Sequence, residues 1–507
     1  MNENKQYRLG AVLSYVLIAL NIVISLFFTP YIMTVLGRDQ AGLYQVIGNF
    51  VSYISVMDFG LGNAIIRYVA KYRAEGKKRK MEGFLGMAMS LYLAIGAVVL
   101  LAGGVCYAFL PSIFPNFTPE NMALAKPMFL LLVFNMTLSL VMNVFPGVLA
   151  GFERFVLMRT LSIVRVVLRA IILVVMLPLG ANVLHMVILD TALNLLFTLI
   201  QFGYALIKLR VRIRFFDFDK PLLREITTYS AFIFLNMLME QMYWKVDSTI
   251  IGILYTTTTV TVTTIGTMIA EYFMQFSSSL SGLFLPKATQ MVVRGASMEE
   301  LTDMMIRIGR IQLMIIGLLV VGFVSVGHQF LACWVGDSMG ADVDQSYAIA
   351  TMLILALTIP LFQNTGISIV QAMNRHAFRS VVLVCVAALN VAVSIVLAKL
   401  YGPVGAAAGT VLSLLIGNVG IINWYYYKMI GLNIPRFFRE TLRGILPALA
   451  LLGGVGALTF LMPIGGWGTL LVRILLICAC YVPLMYCVGM NAEEKKTVQK
   501  LLRRVRA

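Results

Sequence analysis

Fourteen apolar runs follow one another along this chain, roughly 9–37, 41–70, 84–110, 124–151, 157–179, 182–207, 227–255, 259–286, 304–333, 346–373, 380–400, 403–427, 442–463 and 468–489. About 20 apolar residues in helical form cross the hydrocarbon core of a bilayer. Inside that core each backbone polar group must be satisfied within the protein, which leaves helices or closed barrels. Runs of this length and continuity select helices. Of the 507 residues only 12% are charged, and the mean hydropathy is +0.88, whereas soluble domains carry about 25% charged residues. The sequence therefore predicts an all-α, polytopic membrane protein with 14 transmembrane helices.

The formal charge of +17 does not point to nucleic acid, because the cations cluster between the runs. The N-terminal tail, the 67–80 loop, Arg154, Arg159, the 208–224 loop, Lys287 to Arg310, Arg375, Arg379, Lys428 to Arg443 and the C-terminal tail hold 33 of the 40 Lys and Arg. The opposite loops hold Arg38, Lys126 and Lys399. That asymmetry predicts a multi-pass chain with both termini in the cytoplasm. The first apolar run is too long, and lacks the small-residue site, for a cleaved signal peptide. The six cysteines form no CxxC pair and read as small core residues. The three histidines lie near span ends and read as satisfied interfacial side chains.

In the loop KLRVRIRFFDFDKPLLR (208–224), Arg210, Arg212 and Arg214 alternate with Val211, Ile213 and Phe215. This reads as an interfacial segment with its cations toward anionic headgroups. The tail EEKKTVQKLLRRVRA reads as a short amphipathic helix on the same membrane face.

An internal repeat is visible. Gly62 and Gly282, and Arg67 and Lys287, are 220 residues apart; Arg154 and Arg375 are 221 apart, and Gly180 and Gly402 are 222 apart. This predicts a six-helix lobe over 1–210, a cytoplasmic interfacial linker over 211–226, a second six-helix lobe over 227–430, two additional helices over 431–490 and a basic tail over 491–507. An even span count per repeat makes the repeats parallel.

No P-loop, HExxH or paired-carboxylate motif is present, so the chain reads as a transporter without an enzymatic site or nucleotide drive. Chemistry then rests on charges inside spans, which cost at least ~2.5–3.5 kcal/mol at the membrane centre and usually face a partner or a wet cavity. Asn236, Glu240, Tyr243 and Asp247 fall on one helical face of 227–255, which also carries Lys245. Arg165 and Arg169 share a face of the fifth run, and Asp190 lies in the sixth with Asn194 and Gln201 on its side. A structural ion pair of Arg165 or Arg169 with Asp190 is the competing reading of that set. Glu271 lies mid-span, and Asp58 just precedes Gly60 and Gly62. Gly60, Gly62, Pro146-Gly147 and Pro360 are expected to bend helices. Arg473 reads as a residue near the outer interface.

The segment VLGRDQAGLYQVIGNFVSYISVMDFGLGNAIIRYVAKY (35–72) resembles the first two-span region of the Wzx-type oligosaccharide flippases, and VQAMNR (370–375) and YGPVGAAAGT (401–410) resemble their second lobe. That family belongs with the multidrug (MATE) exporters and lipid II flippases. The resemblance implies a bacterial cytoplasmic (inner) membrane location, two lobes in an inverted V, alternating access, and a polyprenyl-diphosphate-linked oligosaccharide flipped to the outer leaflet for surface polysaccharide assembly. Arg165, Arg169 and Lys245, with Asn236 and Tyr243, are then expected to meet the anionic sugar-diphosphate head. Glu240, Glu271, Asp247, Asp190 and Asp58 are expected to couple the cycle to H+ or Na+, as in an antiporter. No other cofactor and no metal is expected. Expected partners are the lipid-linked sugar and membrane lipids; a polysaccharide polymerase and glycosyltransferases are candidates, and the chain reads as a monomer. A cation-coupled drug exporter and a lipid II flippase are the alternatives. The latter family carries an Arg-Asp pair in its first span, where this chain has no charge from Leu9 to Tyr31.

Overall fold

The structure is a computed structural model. It describes residues 3–55, 58, 61–215, 245–281, 285–373, 375, 377–462, 465–496 and 499. Among them there is no strand. The helices are α1 Glu3–Ser55, α2 Leu61–Ala74, α3 Lys78–Ile113, α4 Pro119–Met142, α5 Val144–Gly151, α6 Phe155–Met176, α7 Val183–Ile207, α8 Val246–Leu254 and α9 Thr257–Ser281. They continue as α10 Leu285–Val293, α11 Met298–Met339, α12 Val343–Phe362, α13 Thr365–Ala372, α14 Ala377–Leu414, α15 Ile434–Leu442, α16 Ile445–Leu458 and α17 Trp467–Leu484. π-Helical turns carry α14 on to Ile430 and α17 on to Gly489. Among the described residues, seven helical runs are long and apolar enough to cross a membrane, or eight with the bent pair Ile434–Leu442 and Ile445–Leu461. Three of them, of 42, 65 and 53 residues, each exceed the length of two crossings.

Two of the loops expected from sequence are kinks. α1 stays helical through Gly37-Arg38-Asp39 except at Gly37 itself, whose φ of 80° and ψ of 163° suit only glycine. α14 behaves alike at Gly402, with φ 65° and ψ −144°. One residue free of a Cβ kinks the chain there, so no polar loop is needed.

Other spans are interrupted midway. The fourth run divides at Asn143, between α4 and α5. Pro146 explains the position: its ring removes the donor for, and crowds, the carbonyl four residues back, at Met142, where α4 ends. The tenth run divides at Gln363-Asn364, between α12 and α13. The two eight-residue helices that follow, α5 and α13, start 221 residues apart (365 − 144) and end 221 apart (372 − 151). Each is packed by the preceding amphipathic helix, α2 on α5 and α10 on α13. The offset equals the spacing of Arg154 and Arg375.

The chain divides into two compact units, Met1–Thr261 and Val262–Ala507. The division falls inside α9 because α8 packs on α1, while Asn116 donates to Ile253 O at 2.9 Å and Asn121 reaches Thr257 at 3.4 Å. In the first unit, α2, α3, α5 and α7 enclose a core around Ile65, Tyr68, Leu85, Tyr92, Phe145 and Leu149. Gly147 and Gly151 let α2 approach α5: an added Cβ would lie 2.6 Å from Ile65 Cγ2 and from Val69 Cγ1 respectively.

In the second unit, α11 is the central post against which α12, α15, α16 and α17 pack. Arg310 on α11 is 5% exposed and saturates its guanidinium. It donates to both Glu494 carboxylate oxygens at 2.7 and 3.0 Å and to the carbonyls of Glu440, Arg443 and Gly489 at 2.8, 2.9 and 2.8 Å. One residue thus ties four segments together. Arg473, expected near the outer interface, is fully buried in this unit, donating to Gln329 at 2.8 Å and to Met462 O at 2.5 Å. The cysteine expectation needs correcting: Cys385, Cys478 and Cys487 are exposed on their helices. His185 helps cap α7, and His328 meets Asp344 at 2.6 Å; His376 lies outside the described residues.

Candidate functional site

A cavity of about 190 Å³ opens in the first unit between α4, α5, α6 and α7. Its polar lining is Ser139, Asn143, Ser162, Arg165, Asn194, Thr198 and Gln201; Met142, Pro146, Leu161 and Phe197 supply the apolar part. Arg165 Nη1 donates to Asn194 Oδ1 at 3.1 Å, and Asn194 Nδ2 donates to Asn135 Oδ1 at 2.6 Å and Ser139 Oγ at 2.7 Å. Asn135, Ser139 and Asn143 recur every fourth residue, which puts them on one face of the α4 helix and its break. Gln201 Oε1 is buried without a hydrogen-bond partner, a cost of about 1–3 kcal/mol unless a donor arrives. The cavity thus offers a guanidinium, three carboxamides and three hydroxyls within an apolar bundle.

Arg169, one turn along α6, has a different fate. Its Nε and Nη2 grip Asp190 Oδ1 and Oδ2 at 2.5 and 3.0 Å, and Tyr44 OH donates to Asp190 Oδ2 at 2.9 Å. This is the structural ion pair that the sequence offered as the competing reading. Arg169 and Asp190 neutralise each other, while Arg165 faces a neutral amide.

Asp58 stands between the end of α1 and the start of α2. Its Oδ1 accepts from Tyr92 OH at 2.6 Å and from Asn143 Nδ2 at 2.7 Å. Asn143 occupies the α4–α5 break and also lines the cavity. A carboxylate and the carboxamide at the α4–α5 break therefore meet beside the cavity. Discontinuous helices at membrane depth are where transporters build substrate and ion sites.

The remaining candidates are dispersed. Asp247 lies in the first turn of α8 and is 3% exposed. Thr249, on the same helix, meets Tyr53 of α1 at 3.1 Å. Lys245 immediately precedes α8 and is half-buried. Glu271 is half-buried midway along α9, in the second unit. Asn236, Glu240 and Tyr243 lie outside the described residues.

Sequence reasoning centred on charge missed Asn135, Ser139, Asn143 and Tyr92. It also missed Asp39 at the α1 kink, which accepts from Asn121 at 2.7 Å and from Thr257, while Thr261 donates to the Arg38 carbonyl at 2.8 Å. The available signal was the recurrence of amides and hydroxyls every fourth residue in spans that are otherwise apolar.

A family model for polysaccharide biosynthesis proteins matches residues 10–286. The chain belongs to that family. A relative in Bacillus subtilis (strain 168), the uncharacterized membrane protein EpsK, is 19% identical over 504 residues, covering 96% of each chain. Among solved structures the chain is similar to the lipid II flippase MurJ in an inward closed conformation, with TM-score 0.72, 16% identity, and 94% of this chain and 97% of that one covered. It is also similar to an inward-facing multidrug resistance MATE family transporter of the MOP superfamily, with TM-score 0.68, 15% identity, and 85% and 96% covered. The fold is thus that of the flippases and exporters of this superfamily, and these likenesses are to transporters rather than enzymes. The protein is a multi-pass membrane protein.

Proposed function

We propose that the protein flips a polyprenyl-diphosphate-linked oligosaccharide from the cytoplasmic to the outer leaflet for surface polysaccharide assembly. The mechanism is alternating access of two six-helix lobes, 1–210 and 227–430, with both termini cytoplasmic. One observation carries the reading: Arg165, amides and hydroxyls line a cavity inside a bundle that could bury apolar side chains there at no cost. A drug exporter for lipophilic cations gains nothing from a guanidinium in its wall. An anionic, hydroxyl-rich head gains charge-assisted and neutral hydrogen bonds at once. The cavity accommodates a phosphate or a single sugar ring, so it serves as one subsite of a larger path.

In this reading Arg165 meets a phosphate or acidic sugar, and Asn143, Asn194 and Gln201 meet sugar hydroxyls. Lys245, Asn236 and Tyr243 are the other candidates for contact with the head. Arg169 and Asp190 hold α6 to α7 and keep Arg165 in register. Asp58, Asp247, Glu271 and Glu240 are the candidates for H+ or Na+ coupling.

The test is accumulation of lipid-linked sugar. Loss of the gene should trap the lipid-linked oligosaccharide in the cytoplasmic leaflet, read by mass spectrometry, and Arg165→Gln should reproduce the block at unchanged protein level. Cells that instead accumulate lipid II would move the substrate to the neighbouring flippase class. Cells with normal lipid-linked sugars but raised sensitivity to cationic drugs would select the exporter.

A further inference from the structure

A second polar cavity, of about 490 Å³, lies away from the first and is lined by Lys78, Arg79, Glu82, Leu206, Arg210, Arg212 and Arg214. We propose that it is a binding site for the phosphate headgroup of an anionic glycerophospholipid in the cytoplasmic leaflet. This goes beyond the transport reading and rests on the membrane orientation, not on the substrate.

The site is built by a strap. After α7 the chain runs without regular structure over Arg210–Arg214 and folds back onto the start of α3. Val211 is 3% exposed in the core of α2, α3, α5 and α7, with Leu209 and Ile213 packed against that core. Arg210, Arg212 and Arg214 accordingly face outward. The strap is clipped down by Arg214 N donating to Glu82 O at 3.2 Å. It lies so close to α3 that a Cβ on Gly86 would be 1.8 Å from Arg214 O. The outward cations are therefore fixed in place rather than carried on a free loop.

Charge in the cavity is unbalanced. Glu82, its one carboxylate, is 3% exposed and already meets Arg214 Nε at 2.9 Å and Lys78 Nζ at 4.0 Å. Arg79, Arg210 and Arg212 add three further cations with no counter-charge among the lining residues. Guanidinium forks suit phosphate oxygens bidentately. Arg210 also sits at φ 51°, a left-handed conformation in which glycine is the usual residue. The chain keeps an arginine where glycine would be less strained.

The surroundings are those of a membrane surface. The cavity lies where α3 begins and α7 ends, and exposed apolar side chains flank the cations: Leu206 at 37%, Ile207 at 74% and Phe215 at 45%. Cations beside exposed apolar groups at the ends of two spans match a lipid whose headgroup is anionic and whose chains are not. Basic pockets at the cytoplasmic ends of spans take anionic headgroups by the same physics.

The experiment uses the full chain purified in detergent, titrated with dioleoyl phosphatidylglycerol or dioleoyl phosphatidylcholine and read by native mass spectrometry. The parent should prefer phosphatidylglycerol. The double variant Arg210→Gly, Arg212→Gln should lose at least about tenfold of that preference, at roughly 1 kcal/mol for each cation near an anionic surface. Arg210→Gly alone should raise the lipid-free Tm, because glycine relieves the left-handed strain, while weakening lipid binding. Arg212→Gln alone touches an exposed side chain and gives a folded control with weakened binding. Equal uptake of the two lipids by the parent, or an unchanged preference in the double variant, would overturn the site. Inorganic phosphate binding as tightly as phosphatidylglycerol would overturn the lipid as occupant. So would a short isoprenyl diphosphate displacing phosphatidylglycerol at tenfold lower concentration, which would give the pocket to the transported lipid instead.

Discussion

Arg165 and Arg169 are one turn apart on the same helix, yet only Arg165 is left facing a cavity. The reason is the register of an antiparallel pair. α6 and α7 are joined by a short turn, so a step of four residues up one helix meets a step of four down the other: 165 with 194, and 169 with 190. The sequence displayed both faces, the arginines four apart and Asp190 and Asn194 four apart, but not which arginine met which partner. That depends on the turn at Gly180, whose φ is 91°. The two replacements should therefore behave oppositely. Arg165→Gln should abolish flipping in proteoliposomes with Tm unchanged, since its partner is a neutral amide. Arg169→Gln should lower Tm by several degrees, because it strands Asp190. The side chains are 30% and 17% exposed, so the cost is below the ~3–5 kcal/mol of breaking a fully buried pair. Adding Asp190→Asn should recover most of the loss. A normal flipping rate in Arg165→Gln would remove Arg165 from the substrate path.

The interruptions in helices were half legible. Pro146 and Pro360 announced bends, but the breaks fall at Asn143 and at Gln363-Asn364. For Pro146 the lost hydrogen bond reaches back one turn; after Pro360 the helix persists to Phe362. Gly37 and Gly402 were read as loops and are single-residue kinks, since nothing in composition separates a tight loop from a helix that turns at one glycine. The pairing of α2 with α5 was not legible, because it depends on Gly147 and Gly151 being small on one face. That contact yields a prediction. Gly147→Leu places atoms where Ile65 already lies, and overpacking of this kind costs about 1–3 kcal/mol. A fall in Tm is expected, with disulfide trapping between cysteines placed at Ile65 and Val148 reduced. If both are unchanged, the close approach of α2 and α5 is wrong.

At the scale of the molecule, orientation comes from charge alone, and labelling tests it. In a chain with its six cysteines replaced, a cysteine at Lys78 should react with a membrane-impermeant maleimide only after the cells are opened; reaction in intact cells would invert the topology. Coupling is the further question, because a chain with no nucleotide motif has to draw on a gradient or on consumption of the flipped product. Asp190 is satisfied by Arg169, so it is a poor carrier. Asp58 differs. It touches Asn143 at the α4–α5 break and takes its hydrogen bonds from neutral donors. Among the described residues no cation pairs with it. Ionisable side chains at membrane depth mark ion pathways, and a change at Asp58 would act directly on Asn143, which walls the cavity. Asp58→Asn should therefore retain substrate binding while flipping in proteoliposomes no longer responds to an imposed pH or Na+ gradient. Asp190→Asn should keep the response. Glu240→Gln, Asp247→Asn and Glu271→Gln are measured in the same assay, since their carboxylates are the other candidates. Should Asp58→Asn follow the gradient as the parent does while Glu240→Gln does not, the coupling carboxylate is Glu240 and the Asp58 contact is structural. Insensitivity of the parent itself to every ion gradient would leave product consumption as the drive.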